Sequence, residues 1–346
     1  MQTTELDYDL PPELIAQTPA EPRDSSRLMV IERSSGRIEH RIFRDLPALL
    51  RAPDLLVAND TRVIPARIYA RKPTGGRVEI LLLRKRDATR WEALVGGHRV
   101  RDFVIEAPDA PTLRGVAQPL PVAEDSDAAS WLVEFDAPVE PILERIGVMP
   151  IPPYIHHQPD DPARYQTVYA RIAGSAAAPT AGLHFTPELL QTIDVRGIGT
   201  AFVTLHIGLD TFKPITEDNV EAHRIHTEWC DVSPETVTRV CQARTAGGRV
   251  VAVGTTSVRA LETAAQAAET PAGIAPFRGF TSIYITPGYR FRAVDALITN
   301  FHLPRSTLLA MIGAFILHAR ELRAGHPRAL PLLLVWRRDA DPVRHC

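Results

Sequence analysis

The sequence has little cysteine and no long apolar run. Its three cysteines, Cys230, Cys241 and Cys346, form no CxxC pair, so neither a disulfide framework nor a zinc cage is expected. No stretch reaches the ~18 consecutive apolar residues of a membrane helix, and the N-terminal residues MQTTELDYDL are acidic. The sequence therefore shows neither a membrane span nor a signal peptide, and a cytoplasmic protein is expected.

The chain also lacks a strong net charge. Its 39 basic and 41 acidic residues leave a formal charge of −2, so any surface that binds nucleic acid has to be local. Lysine is rare, since only Lys72, Lys85 and Lys213 are present, whereas there are 30 prolines. This combination is typical of a GC-rich coding sequence. With 346 residues and 45% hydrophobic content, the chain is long enough to bury a large core and to form two domains.

Two loops that carry histidine are separated by one predicted helix and one predicted strand. His184 precedes Thr186, which is suited to cap a helix that reaches about Ile193. The strand over residues 201–205 then leads into a loop with His206 and Asp210. Each histidine alone is more often an ordinary hydrogen-bonded residue near a core. Two such loops this close together favour a ligand site, because ligands bind just past strand ends in open α/β sheets.

Three further predicted strands end in polar loops. Residues 55–58 lead into Asn-Asp-Thr-Arg. These residue types are common in turns, and they are also common in ligand sites. Residues 249–253 lead directly into a predicted helix. Its first turn is Thr255-Thr256-Ser257, and Arg259 follows in the same helix. Free N–H groups and hydroxyls there suit a carboxylate anion, although a well-capped helix explains them too. Residues 296–299 lead into a loop that contains Asn300 and His302.

The pattern changes between residues 62 and 149. Short alternating segments separated by charged or Gly-rich turns predict an antiparallel sheet or small barrel. We therefore expect a mixed-sheet α/β main domain, formed by residues 1–61 and 150–346, with an inserted antiparallel β-barrel-like domain over residues 62–149. Basic residues concentrate in the first half of the insert, which is either a solvated face or a surface for RNA phosphates. This basic face comprises Arg67, Arg71, Lys72, Arg84 and Lys85.

A metal site is the main alternative use of the histidines. His223 and His226 are three residues apart and can share a helix face. The spacing is not HExxH, however, and no third ligand follows from it. Two function classes each explain part of the pattern: a non-catalytic RNA-binding protein explains the basic face of the insert, and a metal-dependent hydrolase explains the histidines.

Several phrases resemble one family closely. APTAGLHFT and TLHIGLDTFKPI, together with LPPELIAQTPAEPRDSSRLMV near the N-terminus, are similar to the S-adenosylmethionine:tRNA ribosyltransferase-isomerase family of queuosine biosynthesis. The resemblance covers residues 6–315 and is weaker inside the β insert. It implies a metal-free enzyme with no permanently bound cofactor, S-adenosylmethionine as co-substrate and tRNA as partner. A monomer is expected.

The resemblance also assigns candidate roles. The reaction it implies needs a base to deprotonate the carbon beside the sulfonium and a donor to help adenine depart, tasks suited to His and Asp. The matching catalytic candidates are Asp60, His184, His206, Asp210 and His302. The matching candidates for binding S-adenosylmethionine are Arg62, Thr255, Thr256, Ser257, Arg259 and Asn300.

The resemblance stops at the C-terminal tail. Family members end with an aromatic stretch, whereas this chain has no tyrosine after Tyr289 and ends HARELRAGHPRALPLLLVWRRDADPVRHC. Such an ending is what a shifted reading frame yields in a GC-rich gene. The apolar run over residues 330–336 either replaces a missing final strand or lies exposed. A catalytically impaired tRNA-binding homologue is therefore an alternative function, and we expect the tail from His318 to be no working part of the site.

Overall fold

The computed structural model describes residues 1–33, 35–106, 112–120, 130–156, 161–208, 214–269 and 273–316, together with the backbone of Leu332–Trp336. Among these residues, no helix has both the length and the apolar character needed to cross a membrane.

A nine-stranded mixed sheet forms the centre of the molecule. In chain order its strands are β1 (Arg27–Glu32), β2 (Arg37–Ile42), β3 (Leu55–Asn59), β13 (Gly199–Leu205), β14 (Glu228–Val232), β15 (Val250–Val253), β16 (Phe277–Thr281), β17 (Ala296–Thr299) and β18 (Leu332–Trp336). Across the sheet the order is β16-β14-β13-β3-β15-β17-β18-β1-β2. Strands β13, β3, β15 and β17 are parallel to one another.

Both faces of the central strands are buried. In β3, Leu55 and Val57 belong to one apolar cluster, while Leu56 and Ala58 belong to another on the opposite face. This explains why the central strands read as continuous apolar runs rather than alternating ones. In the described ranges, the longer helices are α3 (Pro187–Val195), α4 (Pro234–Thr245), α5 (Thr255–Gln266) and α6 (Thr307–Ile316), and the one-turn helices are α1 (Leu46–Leu49) and α2 (Leu143–Ile146).

The predicted cap of α3 is confirmed. Thr186 Oγ1 accepts a hydrogen bond from the Leu189 N–H at 3.1 Å, and Pro187 occupies the first helical position. The helix ends at Val195, two residues beyond the predicted end.

A closed antiparallel barrel lies between β3 and β13 along the chain. Its strands are β5 (Arg67–Arg71), β6 (Arg77–Lys85), β7 (Arg90–Gly96), β8 (Asp102–Ile105), β9 (Leu113–Pro119) and β10 (Trp131–Phe135), with the short β11 (Gly147–Val148) added beside β5. Pairing of β5 with β8 closes it. Its apolar core, which includes Trp91, Phe103 and Phe135, is a cluster of its own. The predicted fold class is confirmed, and the division into two domains at residues 62 and 149 remains a proposal.

Two further strands connect the barrel with the large sheet. β4 (Thr61–Val63) follows β3 after a single residue and pairs in parallel with β12 (Ile172–Ser175). These two strands bring residues 171–175 beside the end of β3.

The tail contributes one strand to the sheet. The backbone of β18 pairs in parallel with β1 and antiparallel with β17, so it lies between them. Of the two alternatives for the apolar run, the structure has the replacement strand.

Candidate active site

The candidate site lies along one edge of the nine-stranded sheet. Strands β3, β13, β15 and β17 end at this edge, and the oppositely directed β14 and β1 begin there. Ligands of open α/β sheets bind at such an edge, where loops follow the strand ends. The site side chains described next come from these loops.

Asn59, the last residue of β3, ties three elements together. Its buried amide nitrogen Nδ2 donates to the Leu205 carbonyl at 2.9 Å and to Thr256 Oγ1 at 3.2 Å. Its Oδ1 accepts from the N–H groups of Leu205 and Thr61 at 3.0 and 3.1 Å. Two donors and two acceptor positions are all that an amide has. The end of β13 and the start of α5 are thereby fixed to β3.

His206 is held by Thr61 and Trp229. Thr61 Oγ1 lies 2.8 Å from His206 Nδ1 and donates to the Ile172 carbonyl at 3.4 Å. Nδ1 is then the donor toward Thr61, which leaves the lone pair on Nε2. The imidazole stacks on the Trp229 ring, with centroids 5.0 Å apart and an angle of 18° between the planes. The ring orientation is therefore fixed on two sides.

The charge state of His206 follows from its burial. Burial lowers its pKa, and the negative charges of Asp60 and Glu228 offset part of that shift. The ring is therefore neutral near pH 7, and a neutral imidazole with a free lone pair is suited to act as a base.

Gly174 lies against the Nε2 side of the His206 ring and has no side chain that would contact it. It has φ of 145°, and a Cβ at this position would lie 2.7 Å from His206 Nε2 and 2.8 Å from Cε1. A side chain there would therefore push the imidazole out of place. In the described part of the chain, Nε2 has no hydrogen-bond partner.

Asp60 is a buried carboxylate with two partners. Its Oδ1 accepts from Thr204 Oγ1 at 2.7 Å. Its Oδ2 accepts from Arg171 Nε at 3.2 Å and Nη2 at 2.7 Å. The carboxylate therefore forms its ion pair with Arg171. It affects His206 electrostatically and forms no hydrogen bond to it in the described part of the chain.

His184 is bonded through both ring nitrogens. Nε2 lies 3.2 Å from Asn300 Oδ1, so it carries the proton, and Nδ1 accepts from Ser26 Oγ at 2.7 Å. Burial lowers the pKa of His184 to about 4, although the hydrogen bond to Asn300 favours the protonated form. A neutral imidazole with both nitrogens occupied positions its neighbours rather than taking a proton.

Of three other predicted site residues, the structure describes two, His302 and Arg62. His302 Nε2 lies 3.1 Å from Thr299 Oγ1, and burial lowers the pKa of His302 to about 4. Arg62 is exposed on β4. Asp210 lies outside the described residues.

The residues in the first turn of α5 have two different surroundings. Thr255 and Thr256 line a small cavity at the site edge, and Thr256 also accepts the bond from Asn59. Ser257 is fully buried and donates to the Val253 carbonyl at 2.7 Å. Its hydroxyl donor is therefore already used within the helix.

The same cavity contains a buried ion pair. Arg259 pairs through Nη1 with Glu228 Oε2 and donates through Nη2 to the His226 carbonyl at 3.1 Å. Burial alone would raise the pKa of Glu228, but Arg259 and His226 hold it at about 2. Arg259 Nε and Tyr284 Oη, which also face buried surroundings, have no hydrogen-bond partner among the described residues. The cavity thus holds unused donors beside hydroxyls.

The metal alternative gains no support from the geometry. His223 Nδ1 lies 2.8 Å from Glu217 and His226 Nε2 lies 3.2 Å from Glu228, so the two histidines have different carboxylate partners. Within the described residues, no group of three or more His, Cys, Asp or Glu side chains is arranged to hold a metal ion. The absence of a metal stays a prediction.

Sequence reasoning missed four contributors. Arg171, Trp229 and Gly174 were not singled out, Ser26 was part of a quoted phrase without a role, and each acts through a partner distant in the chain. Arg171 follows Asp60 by more than a hundred residues, so no local pattern could have found the pair.

The predicted basic face of the barrel is partly neutralised. Arg67 pairs with Glu79 at 3.3 Å, Arg84 with Glu92 at 2.5 Å, and Lys85 with Glu140. Arg71 is exposed on β5, and Lys72 follows it and donates to the His98 carbonyl. Neither of these two residues pairs with a carboxylate within the described ranges.

Several known proteins are similar to this chain in sequence, and one solved structure is similar to it in fold. The family described as queuosine biosynthesis protein matches residues 3–326. The S-adenosylmethionine:tRNA ribosyltransferase-isomerase of Symbiobacterium thermophilum is 51% identical over 329 residues, covering 94% of each chain. The protein of the same name from Pelobacter propionicus is 51% identical over 324 residues, covering 91% of each. The crystal structure of S-adenosylmethionine tRNA ribosyltransferase from Thermotoga maritima gives a TM-score of 0.52 at 36% identity, covering 96% of this chain and 99% of that chain.

Proposed function

Because the chain belongs to the family of queuosine biosynthesis proteins, we propose that it modifies tRNA with S-adenosylmethionine. In this proposal it transfers and isomerises the ribosyl group onto the aminomethyl group of 7-aminomethyl-7-deazaguanine at the anticodon wobble position. The products are epoxyqueuosine in tRNA, adenine and methionine. The enzyme acts as a monomer in the cytoplasm, where its tRNA substrate is, without a metal or a permanently bound cofactor.

His206 is the base in this mechanism. The carbon beside a sulfonium is acidified, so a neutral imidazole can remove its proton. The single observation that carries the assignment is that His206 Nε2 has no hydrogen-bond partner among the described residues, whereas Nδ1 is used by Thr61; the missing side chain of Gly174 lets the ring keep this position. His184 differs, because Ser26 and Asn300 occupy both of its nitrogens. It positions Asn300 toward the ligand.

The cavity beside α5 is suited to the methionine portion of the co-substrate. A carboxylate would find the hydroxyls of Thr255 and Thr256 and the first N–H groups of the helix there. The positive charge of Arg259 is balanced by Glu228, and its unused Nε remains a donor. Asp60 fixes Arg171, while Asp210 and His302 stay candidates for assisting the departure of adenine.

The test is release of adenine by the purified protein. Given S-adenosylmethionine and tRNA that carries the aminomethyl base, the protein should release adenine with EDTA present. His206→Gln should lower turnover by about 10²–10⁴-fold and leave the melting temperature nearly unchanged. His40→Gln, a histidine on the exposed face of β2, is the matched control.

Three results would contradict the proposal. Inhibition by EDTA that zinc reverses would indicate a metal-dependent enzyme. Binding of tRNA without any adenine release would favour the catalytically impaired homologue. Near-normal turnover of His206→Gln would remove His206 from the mechanism.

A further inference from the structure

We infer that Arg171, at the rim of the His206 site, binds a phosphate of the tRNA backbone. The inference rests on the proposed function, because it names the part of the tRNA that this rim receives.

The contact between Arg171 and Asp60 is strongly asymmetric. The Asp60 side chain is 2% exposed, whereas that of Arg171 is 69% exposed. Asp60 takes Nε and Nη2 of the guanidinium, and its backbone carbonyl accepts from the N–H groups of Arg171 and Ile172 at 2.8 and 3.1 Å. Arg171 is therefore fixed at its backbone and along one edge of its guanidinium.

The opposite edge of the guanidinium remains available. Nη1 of Arg171 makes no hydrogen bond to any residue that the structure describes. A guanidinium offers five N–H donors in a rigid plane that matches the oxygens of a phosphate. Because Asp60 already holds the plane, an arriving anion does not have to order a flexible side chain, which is a main cost of binding through arginine.

The surroundings of Arg171 are those of a nucleic-acid contact. Arg62 is exposed on β4, which pairs with β12 immediately after Arg171. Val168 and Ile172, three residues before and one residue after Arg171 in the chain, are apolar side chains that are 40% and 39% exposed. Phosphates are bound by arginine, and sugars and base faces pack on apolar or planar groups. No acidic residue other than the buried Asp60 forms an ion pair with Arg171 in the described chain.

The position of Arg171 relative to the base defines which phosphate is meant. Asp60 precedes Thr61, and Thr61 holds His206 Nδ1. The guanidinium and the histidine proposed to take the proton are therefore bound to two consecutive residues, Asp60 and Thr61. A phosphate on Arg171 would belong to the target nucleotide or to its direct neighbour.

Two anions of the proposed reaction could bind a guanidinium: a tRNA phosphate and the carboxylate of S-adenosylmethionine. The exposure of Arg171 favours the phosphate, because a large polyanion reaches an outer rim, whereas the hydroxyls of Thr255 and Thr256 line the cavity beside α5 and suit the carboxylate. The experiment separates the two sources.

The test compares Arg171→Gln with Arg278→Gln by equilibrium binding of a tRNA transcript over a range of salt concentrations. Arg278 is the matched control, since it is 76% exposed and also bound through Nε and Nη2 to an aspartate, Asp231. Arg171→Gln should reduce the slope of log K against log salt by about 0.7–1 and weaken binding about fivefold near 0.15 M salt. Arg278→Gln should change neither quantity, and the KM for S-adenosylmethionine should stay constant in both variants.

Each other outcome overturns the inference. An unchanged slope in folded Arg171→Gln would mean that Arg171 only neutralises Asp60. A raised KM for S-adenosylmethionine with an unchanged tRNA slope would assign the anion to the co-substrate carboxylate. If Arg171→Gln fails to fold, the double variant Asp60→Asn with Arg171→Gln removes the buried charge as well, and a wild-type slope in it would refute the phosphate contact. Failure of the unaltered protein to bind tRNA would refute the proposed function together with the inference, whereas a normal protein with an unaffected variant refutes the inference alone.

Discussion

At the scale of single residues, the two histidines of the site differ through their hydrogen bonds. Among the described residues, His206 Nε2 beside Gly174 has no hydrogen-bond partner, and His184 uses both nitrogens within the fold. The same side chain thus serves two purposes, since the partners of the ring determine whether it can accept a proton.

Gly174→Ala should lower turnover by more than tenfold. The added Cβ would lie 2.7 Å from His206 Nε2, so the ring has to move away from Thr61 and Trp229. Gly208→Ala is the control in the neighbouring loop, because a Cβ there meets no atom of the described residues within 4 Å. Adenine release and thermal melting measure the two variants. Equal turnover in both would mean that the position of the imidazole is not limiting.

Acid should destabilise the protein through His184. Its pKa is about 4 in the folded protein and 6.5 in the unfolded chain, so the unfolded state binds more protons between these values. The free energy of unfolding should therefore fall as pH falls from 6.5 to about 4. His184→Gln, which keeps a polar side chain without a titrating group, should flatten this part of the pH profile in urea titrations, whereas His40→Gln should not. A profile that is the same in all three proteins would show that His184 is accessible to protons in the native state.

At the scale of elements, the predicted basic face of the barrel keeps two cations without a carboxylate partner in the described ranges, one at the end of β5 and one in the turn after it. Arg71 and Lys72 close β5, and three other members of the predicted basic face are held by glutamates. Ion pairing reduces what those three can contribute to phosphate binding.

The double variant Arg71→Gln with Lys72→Gln should raise the KM for tRNA and reduce the salt slope by about one per lost contact. The KM for S-adenosylmethionine should not change. Arg37→Gln with Arg41→Gln is the control, since both arginines are exposed on the edge strand β2. If both pairs of substitutions have equal effects, the barrel offers only general positive charge.

At the scale of the whole molecule, β18 alters what is expected of the tail. Its backbone joins β17 to β1, so without it the sheet divides and both neighbours become open edges. The tail from His318, which was expected to be no working part of the site, thus supplies a strand that holds the sheet together.

Truncation after Ile316 should therefore reduce soluble yield and thermal stability sharply. Truncation after Trp336 keeps β18 and serves as the control. Circular dichroism melting and size-exclusion chromatography distinguish the two chains. If both behave alike, β18 does not stabilise the sheet, and the tail is dispensable as its unusual sequence suggested.

Local patterns in the sequence determined the elements and the kind of site. The apolar runs before residues 59, 206, 254 and 300 predicted strands with polar loops, and the structure has β3, β13, β15 and β17 ending there. Periodicity and capping are local properties, so Thr186 and the strands could be recognised without the fold. The alternating segments likewise predicted the barrel.

Only the tertiary structure decided what each site residue does. Whether His206 has a free nitrogen depends on Thr61 and Gly174, and whether Asp60 is available depends on Arg171. These partners come from separate strands that the sheet brings to one edge, and hydrogen bonding and burial depend on that proximity rather than on spacing along the chain. The sequence could therefore nominate histidines and aspartates, while their pKa shifts and free atoms followed from packing.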